Sequence, residues 1–462
     1  MQRTLTKNLS ENIGKQVNVL GWVNTRRDHG KIIFIDARDR WGIVQCVFVP
    51  GNEAYETGQK LRTEFVVSLK GLVKKRPESM INTKIATGEI ELEVQECEIL
   101  NESETVPFEI DKDTKDTNEE TRLKYKYLDI RSERIKESLC KRAELIGFIR
   151  NYLAEREFIE IETPMLTKST PEGARDYVVP SRLQAGNFYA LPQSPQQFKQ
   201  LLMVGGIERY FQIAKCLRDE DSRGDRQPEH TQLDIEMSFF SRDELLDLVE
   251  NLMIETIKKT YPEKKLTFTP FKRLTHKESM EQYKTDKPDL RVDKNNPDEL
   301  AFVWILDFPL FERNDKGELT YSHNPFTSPK KDEIEFVMKG EKLEELSSEQ
   351  YDLACNGYEI GSGSIRINQP EILEKIFEIL GHSKEKTKEQ FGHILQAFKY
   401  GAPPHGGIAW GLDRLVMILQ NEPNIREVIA FPKTGDGRDL MMSAPSEISD
   451  LQLKELHLQI KK

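Results

Sequence analysis

One stretch of the chain, CLRDEDSRGDRQPEHTQLDIE at residues 216–236, crowds ionisable side chains into a loop. Three arginines and five acids precede the run TQLDIE, in which Gln232, Asp234 and Glu236 alternate with apolar residues. This alternation predicts a half-buried strand. A solvated hairpin would explain the acids of the loop. It would not explain the polar face of the strand, because a buried carboxylate is costly without a partner.

A second arginine that could bind phosphate lies near the C-terminus. The run PPHGGIAWGLDRLVMIL (residues 403–419) predicts a glycine-rich strand followed by an apolar helix with Arg414 in its first turn. Together with Arg218 it offers two guanidinium forks, whose donors suit phosphate oxygens. The motifs GxxxxGK[ST] and GxGxxG are absent, which excludes a P-loop and disfavours a Rossmann dinucleotide site. Helix–strand packing remains an alternative explanation of these glycines.

A third polar cluster precedes a helix. In LPQSPQQFKQLLM, Ser194, Gln196 and Lys199 lie in a turn that opens a helix, where the helix dipole favours an anion such as a carboxylate. Upstream, a short strand runs into Pro164, which confines that strand to an edge or an interface.

The N-terminal hundred residues contain five short β-patterned runs, which favour a small Greek-key barrel of the OB type. These runs are residues 16–23, 31–39, 42–49, 64–73 and 88–100. The first fifty residues hold eight Lys and Arg against four Asp and Glu. Arg27, Phe34 and Gln45 could contact a phosphate, stack on a base and read a base edge, as in single-stranded nucleic-acid binding. The alternative is that Phe34 lies in the barrel core.

The whole chain has 462 residues, 31% charged and 37% hydrophobic, with a net charge of −11. This balance argues against indiscriminate nucleic-acid binding. It has no apolar run long enough for a membrane span, no signal-peptide core and five scattered cysteines, so we expect a cytoplasmic protein that contacts no membrane. An acidic linker and a long amphipathic helix (131–157) follow the barrel, and we expect an α+β fold. The expected domains are 1–105, a hinge at 106–125, and 126–462.

The polar segments resemble the three signature motifs of class II aminoacyl-tRNA synthetases: the strand ending at Pro164, the RDE…TQLDIE hairpin and GLDR. The blocks TPEGARDY, LPQSPQQFKQLLM, RQPEHTQLDIEMSF and NGYEIGSGSIRI are closer still to bacterial aspartyl-tRNA synthetases. The resemblance runs from about residue 10 to the C-terminus. It implies an OB-fold anticodon-binding domain followed by an antiparallel catalytic sheet flanked by helices.

The resemblance implies that ATP binds in a bent shape, with Arg218, Glu220 and Arg414 as the catalytic residues. Arg218 would hold the α-phosphate and Arg414 the γ-phosphate, and the Arg414 guanidinium and the ring of His230 would enclose the adenine. The remaining implied ATP contacts are Asp219, Gln227, Glu359, Gly411, Leu412 and Asp413. Mg²⁺ would bridge the phosphates, with Asp352 and Glu359 as candidate ligands. Their spacing is unusual for one face of a strand unless Asn356-Gly357 supplies a bulge.

The resemblance also implies the contacts to L-aspartate. Lys199 and Arg366 would face its side-chain carboxylate, Asp234 and Glu172 would take its ammonium group, and His323 would close over it. Ser194, Gln196 and Arg218 complete the implied set. Asn324 departs from the family pattern, in which a second histidine is expected.

For tRNA, the resemblance assigns stacking of the central uridine of the anticodon to Phe34 and further contacts to Arg27, Gln45 and Glu91. His29 and Ser79 resemble enzymes that charge the tRNAs of both aspartate and asparagine. We therefore expect tRNA(Asp) and also tRNA(Asn) as partners. A strictly tRNA(Asp)-specific enzyme is the first alternative.

A second departure lies near residues 291–301, where the extra domain of bacterial members is absent. The Pro164 strand implies a homodimer. Two further alternatives are a relative of asparaginyl-tRNA or asparagine synthetases, which should lack the Lys199 and Arg366 pair, and a non-catalytic tRNA-binding paralogue. The latter should have lost one of Arg218, Glu220, Asp234, Glu359 or Arg414, and all five remain.

Overall fold

The computed structural model describes residues 2–169, 173–314 and 316–461. The chain divides into two compact units, Met1–Arg134 and Ile135–Lys462. Each unit has a hydrophobic core of its own. Within the described residues, every helix is too short or too polar to cross a membrane.

The first unit contains a closed five-stranded barrel with strand order β1-β2-β3-β5-β4. Its strands are β1 (Gln16–His29), β2 (Ile32–Asp39), β3 (Gly42–Phe48), β4 (Val66–Lys75) and β5 (Ile90–Asn101), with the short helix α1 (Glu53–Gly58) between β3 and β4. Apolar side chains alternate into the barrel, and Val19, Ile35, Val44, Leu69 and Leu92 are fully buried. The predicted OB-type barrel is confirmed.

The segment after the barrel is more ordered than its acidic composition suggests. It forms helices α2 (Glu119–Lys124) and α3 (Lys126–Asp129). The fully buried Asp129 accepts hydrogen bonds from Thr114 Oγ1 at 2.5 Å and Lys126 Nζ at 2.7 Å. Part of the hinge expected at residues 106–125 is therefore helical and is tied to a buried carboxylate.

The second unit is built on an eight-stranded sheet with strand order β12-β14-β17-β18-β19-β10-β9-β6. All neighbours pair antiparallel except β12 with β14 and β6 with β9. Three two-stranded sheets, β7-β8, β11-β13 and β15-β16, complete the β-structure. The strands are β6 (Ile159–Glu160), β7 (Val178–Pro180), β8 (Phe188–Ala190), β9 (Arg209–Leu217), β10 (Glu229–Ser238), β11 (Lys265–Leu266), β12 (Lys272–Thr275), β13 (Glu299–Leu300), β14 (Phe302–Leu306), β15 (Phe311–Arg313), β16 (Leu319–Tyr321), β17 (Gln350–Cys355), β18 (Tyr358–Ile365) and β19 (His405–Gly411).

Helices of the second unit lie on both faces of this sheet. They are α4 (Glu133–Ala154), α5 (Gln196–Val204), α6 (Arg242–Thr260), α7 (His276–Tyr283), α8 (Ile334–Lys339), α9 (Pro370–Ile379), α10 (Lys384–Phe398), α11 (Leu412–Leu419) and α12 (Asp450–Glu455). The predicted amphipathic helix at 131–157 is α4. Helix α6 begins with a capping box in which Ser241 and Glu244 satisfy each other's backbone N–H groups.

The central strand β10 separates an apolar face from a polar face. Leu233 and Ile235 are fully buried in the main core, which also contains residues of α4, α6 and α11. The opposite face carries Gln232, Asp234 and Glu236, which are also buried. The polar side chains predicted on this strand therefore lie inside the protein and need partners there.

The connection between α7 and β14 is short and closely bonded. The Glu299 carboxylate accepts hydrogen bonds from the backbone N–H groups of Val292 at 2.8 Å and Asp293 at 3.0 Å. Lys264 Nζ donates to Pro297 O at 3.1 Å and to Asp298 Oδ1 at 2.8 Å. These bonds close the turn that follows DKPDLR.

Candidate active site

Small residues form the floor of the polar face. Glu236 pairs with Gly407, Asp234 with Ala409 and Gln232 with Gly411 across β10 and β19. A methyl group at Gly407 would overlap the Ile235 carbonyl oxygen and the Glu236 carboxylate. The glycines of PPHGGIAWG thus leave room for the acids of the neighbouring strand.

A buried row of alternating charges lies on this floor. Lys199 Nζ bonds to Asp234 Oδ1 and lies 3.2 Å from Glu236 Oε2. Arg366 Nε donates to Glu236 Oε1 at 3.0 Å. None of these four side chains is more than 3% exposed. Gln232 Nε2 extends the row by donating to Asp234 Oδ2 at 2.7 Å.

The charges of the row stabilise one another against the cost of burial. Burial favours the neutral form of Glu236, but Arg366 and Lys199 outweigh it and lower the pKa of that carboxyl group. Burial likewise penalises the Arg366 guanidinium, and Glu236 more than offsets it, so the pKa of Arg366 is raised. Burial raises the pKa of Asp234, and Lys199 offsets this only in part, so the Arg366–Glu236 pair is the firmly ionised part of this nearly water-free row.

A pocket of about 280 Å³ adjoins this row at Gln232. Eight of the ten residues expected to bind ATP line it: Arg218, Glu220, Gln227, His230, Glu359, Gly411, Asp413 and Arg414. Arg218 follows the end of β9 and Arg414 lies in the first turn of α11. The fold therefore brings together the two arginines that are separated by almost 200 residues of sequence.

The pocket contains buried donors that need a ligand. The Nε atoms of Arg218 and Arg414 and the Nε2 atom of Gln227 are buried and have no hydrogen-bond partner among the described residues. A buried donor without a partner is costly, so such groups in folded proteins usually mark a binding site or an ordered water. Their chemistry fits a polyphosphate.

His230 provides a neutral aromatic ring at the pocket wall. Burial, together with the positive charges of Arg218 and Arg414, lowers the pKa of His230 to about 3. The ring is therefore uncharged near neutral pH, as stacking on a flat base requires.

Three residues of the expected ATP set, one of them in the pocket lining, are held mainly by other parts of the protein. Asp413 lines the pocket, but its carboxylate accepts a hydrogen bond from Thr231 N at 2.8 Å and pairs with Arg142 at 2.5 Å. It therefore links β10 to α4. Asp219 is outside the lining, where its Oδ2 is 3.8 Å from Arg175 Nε. The side chain of Leu412 lies in the hydrophobic core.

Asp352 and Glu359 share one face of the β17–β18 hairpin. Asn356 and Gly357 form its turn with positive φ values of 52° and 87°. The bulge lies elsewhere: the register shifts between Leu353 and Ala354, so that Ala354 pairs with Glu359. This shift aligns the two acids, which the uninterrupted sequence spacing would have separated.

The two acids and His323 influence one another. Burial and the charge of Asp352 raise the pKa of Glu359. Burial would lower the pKa of His323, but Asp352, whose Oδ2 is 3.3 Å from His323 Nε2, outweighs it and the pKa is raised. Within the part of the chain that the structure describes, no group of three or more His, Cys, Asp or Glu could hold a metal ion by itself.

The remaining residues of the expected aspartate site lie around the start of α5. This helix begins at Gln196, whose N–H donates to Ser194 Oγ at 3.3 Å. Asn324 accepts from Phe326 N at 3.0 Å, so this departure from the family pattern stabilises a turn. Glu172 lies outside the described residues.

In the first unit, the expected anticodon residues lie on the outer face of the barrel. Phe34 is half-buried between the fully inward Ile33 and Ile35, so the alternative that places it in the core is wrong. Its cross-strand partner is Arg27. Gln45 Nε2 donates to Glu91 Oε2 at 3.1 Å.

His29 and Ser79 are both exposed. The ring of His29 meets the edge of Phe34, with 6.0 Å between the centroids. Ser79 lies in a short 3₁₀-helix, Glu78–Met80.

Several residues that complete these sites were not singled out as ligands from the sequence. Glu236 links Lys199 to Arg366, and only its place in the strand alternation marked it. Asp36 accepts from Arg27 at 3.0 Å on the barrel. Arg76 has a buried Nη2 without a partner among the described residues, and no sequence pattern marked it.

Comparisons with known families agree with this arrangement. Residues 17–100 match the OB-fold nucleic acid binding domain of the anticodon-binding type, and residues 118–435 match the tRNA synthetases class II (D, K and N). The second match covers well over half of the chain. The chain is a class II tRNA synthetase of the D, K and N family.

Curated relatives of this synthetase resemble it over nearly its whole length. It is 43% identical to an aspartate–tRNA(Asp/Asn) ligase of Rubrobacter xylanophilus, over 98% of this chain and 95% of the relative. It is 40% identical to an aspartate–tRNA ligase of Macrococcus caseolyticus, over 97% of this chain and 96% of the relative.

Solved structures share the fold of the synthetase. An asparaginyl-tRNA synthetase from Pyrococcus horikoshii, complexed with asparaginyl-adenylate, is 21% identical with a TM-score of 0.75, covering 94% of this chain and 98% of that one. An aspartyl-tRNA synthetase from Entamoeba histolytica is 23% identical with a TM-score of 0.73, covering 94% and 91%.

Proposed function

We propose that this synthetase is an aspartate–tRNA ligase, which joins L-aspartate to ATP and passes the aspartyl group to the 3′ end of tRNA. The observation that carries the proposal is the buried row in which Lys199 and Arg366 flank Glu236 beside the arginine-lined pocket. Two cations at the floor of an amino-acid site favour an acidic substrate side chain. The names of the curated relatives support the same activity.

The first reaction needs little proton transfer from the protein. An α-carboxylate oxygen of aspartate attacks the α-phosphorus of ATP, the bond from that phosphorus to the bridging oxygen breaks, and diphosphate leaves. Negative charge builds on the phosphoryl oxygens, where the unpaired Arg218 Nε is available. Catalysis then comes from positioning and from preorganised cations, and one such donor is typically worth about 3–4 kcal/mol.

ATP is the substrate expected for this family, and we propose that Arg414 and His230 enclose its base. The guanidinium of Arg414 and the neutral ring of His230 both line the pocket. Cation–π and stacking contacts of this kind suit a flat, electron-rich purine.

We propose that Asp352 and Glu359 hold Mg²⁺ together with phosphate oxygens of ATP. Burial and the charge of Asp352 raise the pKa of Glu359, and a divalent cation would stabilise both carboxylates in their charged form. Mg²⁺ prefers oxygen ligands and is usually held by one or two carboxylates plus substrate phosphates. Bound there, it would neutralise charge on the phosphates.

We propose that the synthetase also charges tRNA(Asn). His29 extends the aromatic surface beside Phe34, and four curated relatives at 42–43% identity carry the name aspartate–tRNA(Asp/Asn) ligase. Charging of purified tRNA(Asn) with radiolabelled aspartate tests this proposal, with tRNA(Asp) as the positive control. Product no greater than without enzyme would reject it.

We propose further that the catalytic unit works without the extra domain of bacterial members. The alignment to the Rubrobacter relative spans 576 positions, whereas this chain has 462 residues, so the relative has residues without counterparts here. The turn closed by Glu299 and Lys264 supports a complete connection.

We propose a homodimer in the cytoplasm. The edge strand β6, the segment that follows it and the β7–β8 hairpin expose apolar side chains, and exposed apolar side chains of this kind often mark a protein interface. These are Ile159, Met165, Leu166, Val178, Leu183, Phe188 and Tyr189. The five cysteines form no disulfide with one another among the described residues, which suits a reducing compartment.

ATP–diphosphate exchange with aspartate and with asparagine in parallel tests the main proposal. Exchange that depends on aspartate and is at least about a hundredfold weaker with asparagine is expected if the buried cations select the charged side chain. Equal exchange with asparagine would favour an asparaginyl-type enzyme. No exchange with either would favour a non-catalytic tRNA-binding protein.

A further inference from the structure

The loop between β9 and β10 ends in a tight turn beside the nucleotide pocket. Arg223 N donates to Arg226 O at 3.0 Å, and Arg226 N donates to Arg223 O at 3.3 Å. Gly224 and Asp225 therefore form the tip of a two-residue hairpin. The carbonyl oxygen of Gly224 accepts from Ile425 N at 2.9 Å, which fixes the tip against the segment that follows α11.

This fixed tip presents a carboxylate to the pocket. Asp225 Oδ2 lies 3.1 Å from Arg414 Nη2, and both residues line the pocket. At the base of the hairpin, Arg226 and Glu220 pair at 3.0 Å. Because the hairpin is anchored at its tip and at its base, the Asp225 carboxylate stays opposite Arg414 at a high effective concentration.

The two arginines of the pocket therefore differ. The Nε atoms of both arginines have no protein partner among the described residues, but the terminal nitrogens of Arg414 already contact the Glu359 carbonyl oxygen and the Asp225 carboxylate. Carboxylate and phosphate oxygens use the same face of a guanidinium group. A phosphate that approaches Nη2 of Arg414 therefore competes with Asp225 for that nitrogen.

On the basis of the proposed ATP binding, we propose that Asp225 is an internal competitor of the terminal phosphate of ATP at Arg414 and so sets the affinity of the site. The Asp225 side chain is 36% exposed, and that of Arg414 is 23% exposed. Once displaced, the carboxylate can turn toward water at little cost, so the competition is weak and reversible.

Substitution Asp225→Asn tests the competition, because it keeps the size of the side chain and removes its charge. The KM for ATP in ATP–diphosphate exchange should fall about two- to fivefold, as expected for a part-exposed ion pair. The KM for aspartate should not change, since Asp225 lies outside the buried charge row.

Asp221→Asn is the matched control. Asp221 is an exposed acid of the same loop, and it does not line the pocket. The control removes the same charge from the same loop, so it reports the long-range effect of charge alone. The difference in the KM for ATP between the two variants should become smaller as KCl rises from about 0.05 M to 1 M, because salt screens the Arg414–Asp225 pair that Asp221→Asn retains.

A calorimetric titration with ATP makes the test independent of catalysis. Tighter binding by Asp225→Asn than by Asp221→Asn supports the competition even if the wild type shows no exchange, in which case the proposed reaction alone fails. Equal or weaker binding by Asp225→Asn overturns the competition while the reaction can stand. Absence of ATP binding by all three proteins overturns both.

Discussion

Lys199 is the residue on which the buried charge row depends most, since it contacts both acids of β10. Its side chain is 2% exposed, and its ammonium group lies between Asp234 and Glu236. A buried ion pair is weak support for stability as a whole, but removal of one partner leaves the other charge buried and uncompensated. The proposed selectivity for an acidic substrate and the stability of the sheet therefore depend on the same side chain.

We expect Lys199→Met to lose aspartate-dependent exchange and to lower the free energy of unfolding by about 3–5 kcal/mol, because Asp234 then has no cation. Urea unfolding and ATP–diphosphate exchange measure the two effects. Lys215→Met, at an exposed lysine of β9, is the matched control. If Lys199→Met were as stable as the wild type, Lys199 would not be stabilising the two buried carboxylates of β10.

His230 gives the site a defined response to acid. The unfolded chain binds a proton at histidine below about pH 6.5, whereas folded His230, with its pKa lowered to about 3, does not. The unfolded state thus binds more protons across this range, and stability is lost as the pH falls from about 6.5 toward 3.

We expect His230→Phe to reduce that loss, because phenylalanine keeps a flat ring and has no proton to bind. Unfolding free energies at pH 7 and pH 5 should differ less for the variant than for the wild type, while the KM for ATP stays within about threefold because stacking is retained. His457→Phe, at an exposed histidine, is the control. An equal pH response of wild type and His230→Phe would be evidence against a neutral buried ring.

Most residues that line the pocket and the charge row were expected from the sequence, but few of the contacts between them were. Alternation in TQLDIE identified the face that carries Asp234 and Glu236, because strand periodicity is local. The partner Arg366 is 130 residues away from Glu236 along the chain, and no local rule specifies such a pairing. For the same reason, the contact of Asp225 with Arg414 could not be predicted from the charged loop.

At the scale of elements, strand β19 matters because it carries glycine or alanine opposite the polar side chains of β10. Gly407 pairs with Glu236, and Gly363 on β18 leaves space for the ring of Tyr351. The sequence predicted the five barrel strands, α4 and the β9–β10 hairpin, since their patterns are long. The position of the bulge that aligns Asp352 with Glu359 could not be predicted, because it depends on how β18 pairs with β17.

We expect Gly407→Ala to destabilise the second unit by about 1–3 kcal/mol, as overpacking of a core usually does. The added methyl group would overlap Ile235 O and push the Glu236 carboxylate away from Arg366. Gly435→Ala is the control, since a methyl group there meets open space. Thermal unfolding and the KM for aspartate measure the two consequences. Equal behaviour of the two variants would disprove the close approach of β10 and β19.

At the scale of the whole molecule, the proposed RNA contacts and the proposed chemistry lie in different compact units. Phe34, Arg27 and Gln45 belong to the barrel, and each residue of the buried charge row belongs to the second unit. The net charge of −11 does not show that basic residues are concentrated in the barrel. The first fifty residues hold eight Lys and Arg against four Asp and Glu.

We expect Phe34→Ala to raise the KM for tRNA in aminoacylation about tenfold or more, because stacking of one base is worth about 1–3 kcal/mol. ATP–diphosphate exchange without tRNA should be unchanged. The exposed Tyr127 of the same unit, changed to alanine, is the control. A parallel loss of both activities in Phe34→Ala would indicate damage to the fold rather than loss of an RNA contact.

The turn closed by Glu299 has a practical consequence for engineering. Both of its ends are bonded to the body of the unit, while Val292 at its outer side is 87% exposed. Entropy opposes the lengthening of such a loop only slowly, by about 0.6 kcal/mol for each doubling. A fluorescent protein or a purification tag could therefore be carried between Lys294 and Asn295, and the host would keep its catalytic geometry.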